Sequence, residues 1–254
     1  MSAALDPQIE ELVHQLVDVP YFAHRKCGFR CDDNQRDIFD RSNRRTILNC
    51  SRQTGKSTTA ALIALHTAFF RSGATIVITA PSKQQTREFI RKVRDFAFAA
   101  GASLRGGRLF VELKNGSRIV GVAANEDTLR GFSSVALIVI DEASRVKDDV
   151  YFALLPMLAV GNGALWILST PKGKRGFFHT EWNDSSNIEW TKIRTTAHDC
   201  PRIPADFLEA QKRRLGERRF AQEFECAFID TNRGFFHPEI VRKAFKESIQ
   251  PLDL

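Results

Sequence analysis

Gly55-Lys56-Ser57 closes a segment, residues 46–58, that reads as a buried strand, a tight loop and the start of a helix. Such a loop offers successive backbone N–H groups and a helix N-terminus to an anion. The phosphate-binding pattern is Gly-x4-Gly-Lys-[Ser/Thr], and Cys50 stands where its first Gly belongs. In this reading Lys56 neutralises the β- and γ-phosphates of a nucleotide and Ser57 binds Mg2+. Arg52 and Gln53 add polar groups inside the loop; Arg52 either reaches the γ-phosphate or is a solvated arginine. The second half of the chemistry is Asp141-Glu142, which follows Leu137-Ile138-Val139-Ile140. An Asp at the end of a buried strand orients Mg2+ or its water, and the adjacent Glu polarises the attacking water in phosphoryl transfer. An ordinary strand–helix turn and a surface acidic pair are the plain alternatives, and each loses weight when both motifs occur in one chain. No Asn-Lys-x-Asp segment that would read guanine is present.

These groups need a scaffold that gathers strand ends. Residues 46–50, 74–79, 136–140 and 164–168 are continuous apolar runs, as expected of strands covered on both faces of a parallel sheet. Helices are expected from Ser57, over 83–99, around 148–160 and over 204–224, and Ile188–Thr195 reads as an edge strand. Residues 108–123 differ: Leu109, Val111 and Leu113 alternate with polar neighbours, and Asn115-Gly116 signals a type I′ hairpin turn. This hairpin is an insertion or an edge pair. Before the first strand, residues 7–18 have helical spacing that Pro20 should stop, and a short helix is expected over 33–41. The alternation gives an α/β fold, an open and mostly parallel sheet with helices on both faces. Ligands in such sheets sit beyond the carboxyl ends of the strands, and all three polar strand ends, at Cys50, Ile140 and Leu168-Ser169-Thr170, are carboxyl ends.

The 254 residues are 43% apolar and include 20 Phe, enough for a substantial core. The formal charge of +7 suits a polyanionic partner such as nucleic acid, or serves solubility. Five cysteines, an odd number, fit a reducing compartment better than a disulfide framework. There is no signal-peptide pattern and no apolar run of membrane-spanning length, so a soluble, intracellular protein without a membrane partner is expected.

The ordered motifs resemble those of the large terminase subunit of tailed bacteriophages, the DNA-packaging motor. Ser51-Arg52-Gln53-Thr54-Gly55-Lys56-Ser57-Thr58 resembles its deviant Walker A loop, Leu137–Ala143 its Walker B strand, and Leu168-Ser169-Thr170-Pro171 its coupling motif. Ala80-Pro81-Ser82 with Gln84 and Gln85, Leu129-Arg130-Gly131 before the Walker B strand, and Arg218–Phe228 followed by Gly234-Phe235-Phe236 extend the similarity over nearly the whole chain.

The resemblance implies a P-loop NTPase of the ASCE, RecA-like type with ATP and Mg2+ as cofactors, moving double-stranded DNA into a procapsid. It implies an N-terminal helical segment over 1–42, an ATPase core over 43–230, and a linker over 231–254 leading towards a nuclease domain that this chain does not contain. Ser51–Thr58 would bind nucleotide, with Ser57 and Asp141 on Mg2+ and with Glu142, Lys56 and Arg52 as catalytic groups. Gln35 falls at the family's adenine-contacting glutamine, against the alternative of a surface amide. Arg130 is either a trans-acting arginine finger for a neighbouring subunit or a local salt-bridge partner. Ser169 and Thr170 would sense γ-phosphate loss, with a helix N-cap as the plain reading of Ser169. Implied partners are double-stranded DNA, the portal protein, the small terminase subunit and further copies of the chain, a monomer in solution assembling into a ring, usually of five, in the cytoplasm of the infected bacterium. Candidate DNA contacts are Arg91, Lys92 and Arg94; Arg105 and Arg108; and Lys172, Lys174 and Arg175, each otherwise an ordinary solvated face. Two other classes remain open: an assembly protein whose nucleotide only fixes a ring or docks it on a portal, and a helicase-like DNA-dependent ATPase.

Overall fold

The computed structural model describes residues 6–124 and 131–230. Eight strands form one sheet: β1 (Arg45–Cys50), β2 (Thr75–Ala80), β3 (Leu104–Gly107), β4 (Phe110–Leu113), β5 (Arg118–Ala123), β6 (Val135–Asp141), β7 (Ala164–Ser169) and β8 (Thr191–Thr195), in the order β3-β4-β5-β2-β6-β7-β1-β8. Only β4 runs opposite to the other strands, antiparallel to both β3 and β5. The expected edge strand is β8, parallel to β1.

Strand alternation divides the core. Leu48, Ile76, Ile78, Val139 and Leu168 face α4 (Lys56–Phe70) and α5 (Lys83–Ala99). Ile47, Val77, Ile138, Ile140 and Ile167 face α6 (Asp148–Leu154), α7 (Gly176–Asn183) and the 3-10 turn between them. The register aligns Leu48 of β1 with Leu168 of β7, and Leu168 with Asp141 of β6. Beyond β8, α8 (Ala205–Phe224) packs Leu208, Phe220 and Phe224 around Ala197, and Gly216, at φ +72°, interrupts the helix that the sequence suggests is continuous.

Three local expectations are corrected. Pro20 does not close the N-terminal helical region: α1 (Pro7–Val17) ends before it, and Pro20 lies in the first turn of a further helix, α2 (Val19–Cys27), where its missing N–H costs nothing. Asp18 caps α2 by accepting the N–H of Tyr21 at 2.8 Å. The helix expected over 148–160 stops at Leu154 and continues as a 3-10 turn, Leu155–Leu158, because Pro156 has no N–H to donate. The hairpin between β4 and β5 is a three-residue loop, closed by Leu113 and Ser117, with only Gly116 at positive φ. Asn115 is held out of a type I′ geometry because its amide donates to Ala68 O and Phe69 O at the end of α4 (2.9 and 3.2 Å). Nor is this hairpin a pure edge pair: β5 pairs with β2 and carries the sheet outward to β3.

Among the N-terminal elements, Phe22 of α2 packs edge-on against Phe69 and Phe70 of α4. α1 meets the body through its polar edge. Glu11 accepts from Tyr21 and Arg25, Gln15 is buried, and Ile9, Leu12, Val13, Leu16 and Val17 face outward. α3 (Asp33–Arg41) begins with a capping box between Asp32 and Gln35.

Candidate nucleotide-binding site

β7 lies between β1 and β6, so the ends of all three strands meet. The loop between β1 and α4 is braced from outside: Ser51 N–H donates to Thr195 O (2.9 Å) and Arg52 N–H to Glu223 O (3.1 Å). Gln53 and Gly55 adopt positive φ (66° and 86°), which turns the chain sharply enough for α4 to start at Lys56. No side chain caps α4. Its first N–H groups are therefore available to an anion, where the helix dipole favours negative charge.

Lys56 is buried, 7% exposed, yet its ammonium is partnered. It lies 3.2 Å from Glu142 Oε1 and donates to Thr170 Oγ1 at 3.3 Å, so three strand ends converge on one cation. Ser57 Oγ donates to Asp141 Oδ1 at 3.1 Å, and that oxygen also accepts the N–H of Glu142 at 3.0 Å. Burial pushes the Asp141 carboxyl above its ordinary value, opposed by the charge of Lys56. Glu142 has φ +53°, a left-handed conformation that costs a non-glycine residue about 1–3 kcal/mol and recurs at functional sites. Arg145 Nε stands 4.0 Å from its second oxygen. Ser169 Oγ accepts the N–H of Ser144 (3.1 Å), and Ser144 Oγ donates to Thr170 O (2.8 Å). Ser169 therefore joins β7 to the turn after Glu142; it caps no helix, since α7 begins only at Gly176.

The structure thus brings together Lys56, Ser57, Asp141, Glu142, Ser169 and Thr170. Thr54 and Thr58 hold the loop's own turns, Thr54 Oγ1 on Ser51 O (3.0 Å) and Thr58 N on Gly55 O (2.9 Å). Cys50 is wholly buried in the core beside α4, and burial pushes its thiol up to about 11. Arg52 turns away from Lys56 and pairs with Glu223 of α8. Gln35 is not a surface amide: it is 2% exposed. Its Oε1 accepts Asp32 N–H (3.1 Å), while Nε2 is buried without a partner. A Cβ placed on Gly55 would fall 2.7 Å from that nitrogen. Arg130 lies outside the described residues, as does the expected linker 231–254.

The basic patches are not alike. Arg91 pairs with Glu88 and Asp95 of its own helix (2.9 and 3.1 Å), and Arg94 donates to Gly107 O. Lys92 is half-buried, and its charge acts on Asp141. Arg105, Arg108, Lys172, Lys174 and Arg175 are exposed, the last three in the loop leaving Thr170.

Sequence reading misses Ser144, Glu223 and Arg202. Arg202 Nε donates to Asp32 Oδ2 (2.9 Å) and Nη2 to Thr54 O (3.0 Å). No spacing signals these residues: Arg202 and Glu223 reach the loop across 148 and 171 positions of chain, and Ser144 reaches Ser169 and Thr170 across 25 and 26.

Comparisons with known proteins agree with this geometry. The family model for the terminase large subunit, T4likevirus-type, N-terminal, matches residues 47–241. The terminase large subunit of Escherichia phage T5 is 33% identical over 124 residues, which are 46% of this chain and 28% of that protein. The chain thus spans little more than a quarter of that curated relative. The large terminase ATPase domain of Thermus phage P74-26 superposes with a TM-score of 0.72 at 21% identity, covering 81% of this chain and 97% of that one. The large terminase of the thermophilic bacteriophage D6E, in complex with ADP, gives 0.65 at 13% identity, covering 87% and 53%. The shared fold is the P-loop ASCE type. The family match takes in most of the chain, and the chain therefore belongs to the terminase large subunit family, of which it carries the N-terminal domain.

Proposed function

We propose that this domain binds and hydrolyses ATP and uses the cycle to move double-stranded DNA into a procapsid. The observation that carries the reading is the meeting of Lys56, Glu142 and Thr170 at the uncapped N-terminus of α4. The phosphates lie on the loop N–H groups, and Lys56 neutralises the β- and γ-oxygens. Ser57 and Asp141, whose oxygens stand 3.1 Å apart, are a hard oxygen pair suited to Mg2+, and the ion when bound neutralises developing phosphate charge. Glu142 orients and deprotonates the attacking water. Thr170, on Lys56, registers the γ-phosphate, and Ser169 with Ser144 passes its loss to the turn after Glu142. Arg52 leaves Glu223 to reach the γ-phosphate.

Gln35 reads the base. Its buried, unpartnered Nε2 needs an acceptor, and a purine ring nitrogen supplies one. Arg130 completes the site of a neighbouring copy in a ring at the portal, with the small terminase subunit as a further partner, in the host cytoplasm. DNA is held through its phosphates, with the loop Lys172–Arg175 the favoured contact because it leaves Thr170 directly.

The test is phosphate release by the wild-type chain and by Glu142→Gln, each with and without double-stranded DNA and portal. Hydrolysis that DNA and portal accelerate, lost in Glu142→Gln, is expected. Turnover indifferent to both supports only a nucleotide-dependent assembly role, and equal turnover by the two proteins removes Glu142 from the mechanism.

A further inference from the structure

Arg202 lies in the turn between β8 and α8, between two prolines, and belongs to neither half of the phosphate chemistry. Its guanidinium nevertheless binds two separate parts of the site. Nε and Nη2 both reach Asp32 Oδ2 at 2.9 Å, and Nη2 also donates to Thr54 O at 3.0 Å. Asp32 is in turn locked to Gln35, accepting the N–H of Gln35 on Oδ1 (2.9 Å) and donating its own N–H to Gln35 Oε1 (3.1 Å). Thr54 immediately precedes Gly55, whose free α-position faces Gln35 Nε2 and Arg202 Nη2.

We infer that Arg202 is a positioning residue that fixes the distance between the group reading the base and the loop holding the phosphates. This inference rests on the assignment of Gln35 to the base. A nucleoside triphosphate has a set span from ring to phosphate, so two rigid half-sites grip it together only if their separation is right. The capping box orients Gln35 within α3 but does not tie α3 to the loop. Arg202 makes that tie with a planar, multi-donor head, and a lysine ammonium cannot reproduce the fork. Because the tie acts on separation, its loss is felt by a ligand that uses both half-sites and ignored by one that uses only the phosphate half.

The experiment compares fluorescent ATP and inorganic tripolyphosphate binding to the full 254-residue chain for wild type, Gln35→Ala, Arg202→Ala, Arg202→Lys and the Gln35→Ala/Arg202→Ala double variant. Loss of charge-assisted hydrogen bonds that orient a ligand contact predicts ATP affinity about 10-fold weaker in Arg202→Ala. Tripolyphosphate affinity stays unchanged, Arg202→Lys does not rescue, and the double variant is no weaker than Gln35→Ala alone. Equal losses for ATP and tripolyphosphate, or full rescue by lysine, overturn the spacing role. If Gln35→Ala weakens ATP while Arg202→Ala does not, only the role of Arg202 falls. If Gln35→Ala leaves ATP binding intact, the base assignment falls and this inference with it, while the hydrolytic reading keeps its own test at Glu142.

Discussion

Lys56 Nζ stands 3.2 Å from Glu142 Oε1, so the cation of the phosphate loop and the strand-end carboxylate are direct partners. An arriving γ-phosphate competes with that carboxylate for the same ammonium. Glu142→Gln removes the competing charge and the proposed general base together. Hydrolysis should fall by about 10²–10⁴-fold, while ATP binds more tightly than to wild type. Phosphate release and a fluorescent-nucleotide titration check the two effects separately.

Asp141 presents the opposite balance, since burial raises its carboxyl above the ordinary 3.8. A buried acid with a raised value costs stability once ionised, and the cost vanishes as pH falls through that value. Asp141→Asn keeps an acceptor for Ser57 and for the Glu142 N–H but carries no charge. It should melt higher than wild type near neutral pH, by about 2–4 °C per kcal/mol in a domain of this size, and should lose Mg2+-dependent hydrolysis. Thermal melts over a pH series should show the gap closing towards acid.

The pair between Arg52 and Glu223 is half open to solvent on the arginine side, and exposed ion pairs contribute about 0–1 kcal/mol. Arg52→Ala should therefore barely change Tm. If the guanidinium reaches the γ-phosphate, hydrolysis drops by at least about 10-fold, as loss of a charge-stabilising donor commonly does. Unchanged turnover would leave Arg52 as a tether to α8 alone.

Gly55 has φ +86°, and a Cβ there would lie 2.7 Å from Gln35 Nε2. Gly55→Ala combines left-handed strain with a clash inside the buried cluster. Chemical denaturation should show a loss of about 1–3 kcal/mol, and ATP binding should disappear.

Lys172, Lys174 and Arg175 are exposed, whereas Arg94 is spent on Gly107 O. Reversing the first three charges to Glu should weaken DNA binding evenly across sequences and flatten its salt dependence by about 0.9 per lost phosphate contact. Arg94→Ala should instead loosen β3 and β4, visible as faster amide exchange there, with no change in that slope.

The strand-end half of the candidate site was legible in the sequence because its residues sit at the ends of apolar strands, and strand ends in a parallel sheet gather on one side. Lys56, Asp141 and Thr170 needed only that rule to be placed together. The N-terminal boundary was not legible, because Pro20 reads as a stop whether it follows one helix or begins the next. The turn at Asn115-Gly116 went the other way for a related reason: the Asn side chain serves the end of α4, a demand invisible in the hairpin itself. Arg202 was out of reach altogether, and Glu223, though inside the segment Arg218–Phe228 that carries the resemblance, gave no sign of its tie to the loop. Their relation to the loop is a product of chain folding, and exposed basic and acidic residues abound in a chain this charged.

The row Leu48–Leu168–Asp141 across three strands acts as a gauge block for the whole site. A slip of one residue would carry Asp141 about 3.3 Å along its strand and swing its side chain to the opposite face, beyond the reach of Ser57. The tolerance on the Ser57 and Asp141 oxygens is thus set by Ile47, Leu48, Ile138, Val139, Ile167 and Leu168, aliphatic residues locked between helices on both faces. A substitution among them can silence hydrolysis without altering one polar atom of the site.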